Sequence, residues 1–320
     1  MNLNLLIDNL TNPALLFFVL GVLAVQFKSD LAIPSNSSKF ISLYLLFSIG
    51  FKGGQELAHS VFSMEIVWAM VFGVAVAALI PLYTFFILKR KVSIENAGAI
   101  AAAYGSVSAV TFITAVSFLE IQNIDFHGHM VAVMALMEAP AIIIGVILIR
   151  FFGENGSCNG KISHIVKHSF TNGSVFLIMG SLLIGLLASE KEAMGIKPFT
   201  TDIFKGFLAI FLLDMGIVSG KKLGDFLKSG WFTAVFAIVV PFINGIVVAV
   251  LSGWVTEDVG DRFMFAILAA SASYIAVPAA MKMAVPKANP GIFIPMALAV
   301  TFPFNITLGM PIYLFVIQNF

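Results

Sequence analysis

The sequence predicts an all-α polytopic membrane protein: about ten transmembrane helices forming two inverted five-helix repeats, with broken helices four and nine crossing each other. Three observations lead there. Of 320 residues, 59% are hydrophobic and only 11% charged, against about 25% charged in an ordinary soluble domain. Mean hydropathy is +1.00, so too little charge exists to cover a soluble surface, and disorder is excluded for the same reason. Apolar runs approach the roughly 20 residues that cross a bilayer. Finally, the second half of the chain repeats the first in order.

In chain order, the apolar runs are Pro13–Phe27, Phe40–Phe51, Ile66–Leu88, Ala97–Phe118 and Met130–Phe152, then Val175–Ala188, Phe204–Val218, Phe232–Val255, Phe263–Ala284 and Ile292–Val316. The runs at Phe40 and Phe204 end near glycine pairs, which predicts short, glycine-interrupted spans there. The longest polar stretch, Gly153–Asn172, is rich in Gly, Ser and Asn and reads as a linker. The division is therefore 1–152, first repeat; 153–172, cytoplasmic linker; 173–320, second repeat. The opening MNLNLLIDNL has no Lys or Arg, so no secretory signal is expected.

Four segment pairs carry the repeat. TNPALLFFVLGVLA at Thr11 resembles TNGSVFLIMGSLLIGLLA at Thr171, and LLFSIGFKGGQEL at Leu45 resembles FLLDMGIVSGKKL at Phe211. YGSVSAVTF at Tyr104 lies against SASYIAVPA at Ser271, and MALMEAPAIIIGVIL at Met134 against MALAVTFPFNITLGM at Met296. The offsets are 160, 166, 167 and 162 residues, nearly constant. Five spans per half is an odd number, so the second half enters the membrane from the opposite side. That is the architecture of many secondary transporters.

Alternating the spans puts Lys52, Lys191, Lys197, Lys205 and Arg262 on one side and the other thirteen of the eighteen Lys and Arg on the opposite side. The positive-inside rule makes the richer side cytoplasmic and places both termini outside. A net charge of +1 gives no field for nucleic acid. The one cysteine, Cys158, excludes an intramolecular disulfide. No HExxH, GxSxG, P-loop or dinucleotide-binding pattern occurs, so neither an enzyme nor a nucleotide-driven pump is expected.

In such transporters the substrate sits where two helices break near the midplane. Span four has Gly105 at its centre, flanked by Ser106, Ser108 and Thr111; in span nine Ser271 and Ser273 precede Pro278. Small hydroxyl residues at matched positions of two interrupted helices suit an ion: helix N-termini attract an anion, while hydroxyls and carbonyls hold a cation. Glu138, Asp214, Asn244 and Asn305 fall inside spans, where polar groups are expensive. Glu138 is the candidate for Na+ or a proton, Asp214 for a cap or for transport, and Asn244 and Asn305 for backbone freed by Pro241 and Pro303. His127 and His129 form HxH, but helical spacing separates their faces, so they read as a solvated interface. His164 and His168 in the linker have no further ligands, and no metal site is expected.

The chain resembles the sodium-dependent bicarbonate transporters of the cyanobacterial SbtA type over nearly its whole length. The resemblance is carried by LLFSIGFKGGQELAHS (Leu45–Ser60), GSVSAVTFITAVSFLE (Gly105–Glu120), MEAPAI (Met137–Ile142), AASASYIAVPAA (Ala269–Ala280) and VPKANPGIF (Val285–Phe293). It implies a gate domain from spans 1, 2, 6 and 7, a core domain from spans 3–5 and 8–10, a homotrimer in the cell's inner membrane, and a PII-like cytoplasmic regulator. The implied function is Na+-coupled bicarbonate symport. Gly105, Ser106, Ser108, Ser271 and Ser273 would line the substrate site, and Thr111, Glu138 and Ser273 the Na+ site. Tyr274 stands where the family has an aspartate, and Glu138 where it has a shorter carboxylate. Two other readings fit the same features: a transporter of this fold for another small anion or organic acid, and a non-transporting membrane sensor that binds a PII-like protein.

Overall fold

The computed structural model describes residues 11–59, 63–153, 167, 171–227 and 230–320, and no strand occurs among them. The helices are α1 (Pro13–Gln26), α2 (Ser35–His59), α3 (Met64–Leu88), α4 (Ile94–Gly105), α5 (Ala109–Ile121) and α6 (His129–Phe152). They continue with α7 (Gly173–Leu187), α8 (Glu190–Lys197), α9 (Phe204–Leu227), α10 (Trp231–Leu251), α11 (Val259–Ala269) and α12 (Ala276–Ala284). The last, α13 (Pro290–Asn319), is wound as π-helix over Met296–Thr301 and Asn305–Gly309.

Among the described residues, six segments are long and apolar enough to cross a bilayer: Met64–Leu88, Ile94–Ile121, His129–Phe152, Glu190–Gly224, Trp231–Trp254 and Pro290–Asn319. The shorter helices α1 and α7 are apolar as well. All three tryptophans, Trp68, Trp231 and Trp254, are exposed near the ends of α3 and α10, as at a membrane–water boundary.

The matched Thr-Asn starts have one physical cause. Asn12 Oδ1 accepts the Ala14 N–H at 2.9 Å, and Asn172 Oδ1 accepts the Ser174 N–H at 3.0 Å, capping α1 and α7 alike. The short helix α8 was not foreseen; Ser189 and Glu192 form the capping box that starts it.

The halves interlock: α1 lies along α9 and α2 along α7, while α3, α4 and α6 pack together, as do α10, α11 and α13. The glycine-interrupted spans expected at Phe40 and Phe204 are not found, because α2 and α9 run unbroken through Gly50, Gly54, Gly216 and Gly220. Glycine there serves close approach. A Cβ on Gly216 would strike the Phe18 carbonyl of α1, and one on Gly54 the Leu182 carbonyl of α7. Packing along the neighbouring helix outweighs the ~1 kcal/mol helix penalty of a glycine.

Asn244 also differs from expectation. Pro241 removes the N–H that would have met the Ala237 carbonyl, but Thr301 Oγ1 supplies the missing donor at 2.7 Å. Asn244 Oδ1 instead accepts the Tyr83 hydroxyl, tying α10 to α3.

Candidate functional site

Span four opens where α4 ends at Gly105 and α5 begins at Ala109; Ser106 is extended, and Ser108 Oγ caps α5 by accepting the Thr111 N–H at 3.2 Å. The segment expected as span nine is interrupted between α11, which ends at Ala269, and α12, which begins at Ala276. The two openings satisfy each other. The Ser108 N–H donates to Ser271 Oγ at 2.9 Å, and the Ser273 N–H donates to the Ala103 carbonyl at 2.8 Å. Irregular backbone at membrane depth is tolerated only where protein or a wet cavity pairs its polar groups. Asn305, fully buried on α13, completes the pairing: its Nδ2 donates to the Ala270 carbonyl at 2.7 Å and its Oδ1 accepts the Tyr313 hydroxyl at 3.1 Å.

A cavity of about 30 Å³ adjoins the crossing. Its walls include Ser108 and Ala109 at the start of α5, Ile275 and Ala276 at the start of α12, and Ser273 and Glu138. About two waters, or one small polyatomic ion, fill such a volume. Two helix N-termini give the walls a positive bias, and Glu138 adds a carboxylate with no Lys, Arg or His within 4.0 Å among the described residues. One small chamber therefore offers chemistry for an anion and for a cation.

Beyond Ser174, Tyr274 and Ile275, which border both spaces, lies a vestibule of about 630 Å³. Ser38, Lys39, Asp214 and Lys221 line it, and Ser38 Oγ donates to Asp214. Asp214 is thus held by a hydroxyl and does not reach the chamber. At the other end of α2, Glu120 lies 3.6 Å from Lys52 and 3.4 Å from Lys205, linking α5 to α2 and α9.

Of the residues singled out from sequence, Ser108, Ser273 and Glu138 line the chamber. Ser271 does not; its hydroxyl donates to the Leu268 carbonyl at 2.8 Å while bracing Ser108. Gly105 and Thr111 are buried and are not wall residues, and Gly105 packs closely against Pro81. Ser106 is buried, and its hydroxyl has no partner. Ser174 is a wall residue that sequence reasoning missed; the TNGS segment at Thr171 stood out as one arm of the repeat, which says nothing of what its serine faces. Cys158, His164 and His168 lie outside the described residues.

The solvated reading holds for His127, whose ring is half exposed, and is corrected for His129. Only His129 is helical; His127 belongs to the extended segment before α6, so helical spacing does not apply. His129 is buried, and both rings meet Asp261 of α11.

The sequence profile of the Na+-dependent bicarbonate transporter superfamily matches residues 13–318 of the 320. The chain belongs to that superfamily. No curated protein matches the chain. Superfamily membership together with the long apolar helices makes this a membrane-embedded, multi-pass protein of a bicarbonate-transporting class whose transport depends on Na+.

Proposed function

We propose that this protein is a secondary active symporter that carries bicarbonate into the cell with Na+ by alternating access. The observation that carries the reading is the shared chamber: the starts of α5 and α12 and the Glu138 carboxylate border one space of about 30 Å³. The anion sits against the two helix starts, with Ser108 and Ser273 as hydroxyl partners, and Na+ sits beside Glu138. Each ion reduces the cost of bringing the other to membrane depth, because opposite charges attract strongly where the dielectric is low. Inward flow of Na+ supplies the free energy.

The reading includes ten spans in two inverted repeats, with α4–α5 and α11–α12 as the broken fourth and ninth. The interlocked pairs α1 with α9 and α2 with α7 support a gate built from both halves. With thirteen of the eighteen basic residues assigned to the cytoplasm, the termini face outward and the vestibule opens inward. The family resemblance supports a homotrimer in the inner membrane and a PII-like regulator on the cytoplasmic face.

The test is uptake of radiolabelled bicarbonate into liposomes holding the purified protein. Uptake should collapse when external Na+ is replaced by K+; uptake unaffected by that exchange refutes the coupling. Tyr274 supports a second reading, the same machine working on another small anion, because its ring borders the chamber where the family has a carboxylate. Competition by a panel of small organic and inorganic anions separates the two.

A further inference from the structure

At the end of α2 away from the vestibule, the chain brings His127 and His129 together with Asp261, which follows His127 by 134 residues. His127 Nδ1 lies 2.9 Å and His129 Nε2 3.5 Å from the same oxygen, Asp261 Oδ2. The three donor atoms all fall within 4.8 Å of one another. Ligands 2.0–2.1 Å from a tetrahedral metal stand roughly 3.3 Å apart, so the two measured separations bracket that spacing. The wider one, from His129 Nε2, needs a shift of only about 0.2 Å to match that spacing.

Two further features point to a bound ion. His129 Nε2 is buried and makes no hydrogen bond, although Asp261 Oδ2 is near; a buried ring nitrogen without a partner is costly, and an ion between the two would pair both. The other Asp261 oxygen accepts the His127 backbone N–H at 2.7 Å, which fixes the carboxylate plane as outer-shell bonds do in metal sites. Asp258 Oδ1 accepts the Asp261 N–H at 2.8 Å, so the residue carrying the carboxylate is itself anchored.

We propose that His127, His129 and Asp261 form a binding site for a divalent transition metal of the Zn2+ class. Two imidazoles and one carboxylate are a borderline-soft N2O set suited to such ions rather than to Mg2+ or Ca2+. The exposed side of His127 admits the ion and leaves a fourth position to water. Bound there, the metal staples the start of α6, in the first half of the chain, to the start of α11 in the second. The site is separate from the transport chamber and does not rest on the proposed symport.

The test uses the full chain in detergent, with any affinity tag removed and metal stripped by EDTA. Co2+ serves as the probe because tetrahedral coordination gives it intense visible absorption. Wild type should bind one Co2+ per chain with that absorption, lose it on adding Zn2+, and melt at a higher temperature with Zn2+ than without. His129→Gln and His127→Ala should each weaken Co2+ binding more than about tenfold while eluting as folded protein. His127→Ala alters an exposed side chain, so it reports on the site even where His129→Gln fails to fold. Absence of saturable Co2+ binding by folded wild type, or unchanged affinity in His127→Ala, overturns the proposal.

Discussion

Replacing Asn305 by leucine tests whether the broken ninth span depends on a borrowed amide. The side chain is fully buried and makes two hydrogen bonds, to the Ala270 carbonyl at 2.7 Å and from the Tyr313 hydroxyl at 3.1 Å. Leucine fills similar volume and leaves both groups unpaired. Each buried unpaired group costs about 1–3 kcal/mol. Polar contacts in bilayers often contribute only about 0.6 kcal/mol, because an unfolded helix in lipid finds other partners. The Ala270 carbonyl lies at a helix break with no turn of its own to return to, so the higher range applies, and the total comes to about 2–4 kcal/mol. At roughly 2.1 cal/mol/K per residue, a chain of 320 residues should melt about 3–6 °C lower. Tyr313→Phe keeps the Ala270 bond and should cost about 1 kcal/mol. Thermal unfolding in detergent reads both, and liposome uptake should fall for Asn305→Leu. A leucine variant that melts with wild type and transports fully would refute the idea that α13 holds the break open.

Gly216→Leu puts a side chain against the Phe18 backbone rather than against a yielding side chain, so the cost should reach or exceed the ~3 kcal/mol upper range of overpacking; size-exclusion profiles should show loss of folded protein, whereas Gly224→Leu, where no neighbour lies within 4 Å, should fold normally. Glu138→Gln keeps the shape of the chamber wall and removes its charge; the Na+ concentration for half-maximal uptake should rise about tenfold or more, a differential interaction of about 1.4 kcal/mol, with little change in melting. Tyr274→Asp should shift uptake toward lower Na+ by adding a carboxylate beside Ser273, and an unchanged Na+ dependence would remove Tyr274 from the site.

The helix starts and the breaks were legible in sequence because each has a local chemical signature. Asn12 and Asn172 cap, and Ser108 caps, whatever the helices then pack against. The glycines near Phe51 and Val218 read as interruptions because glycine's penalty is local, while the backbone contact that offsets it at Gly54 and Gly216 comes from a helix in the other half. The chamber was legible as a pairing of hydroxyl-rich segments but not residue by residue. In an unwound stretch no fixed period says which hydroxyl faces inward, so Ser271 became a brace and Ser273 a wall. His127 and His129 were separated by a helical rule that applies only from His129, two residues after His127, and their partner Asp261 lies beyond any local window.

The pattern of contacts also locates where the protein can move. Backbone-to-backbone contact at Gly21 with Gly216 and Gly54 with Gly185 binds α1 to α9 and α2 to α7, and such crossings do not slide. Paired backbone bonds bind the two breaks, so α5 and α12 travel together. Between these units the polar ties are few. Glu120 meets Lys52 and Lys205 with all three side chains at least 30% exposed, and screened pairs of that kind contribute about 0–1 kcal/mol each. Tyr274 reaches Met215 only at 3.7 Å, a weak oxygen–sulfur contact. Ser219 Oγ donates to the Leu298 carbonyl at 2.7 Å, a single neutral bond contributing about 1 kcal/mol. Together these polar ties amount to about 1–3 kcal/mol, and the rest of the seam is apolar packing such as Phe18 of α1 against Phe302 of α13. Under the proposed alternating access, this seam is where one unit would slide past the other, opening the Glu120 end as the vestibule shuts.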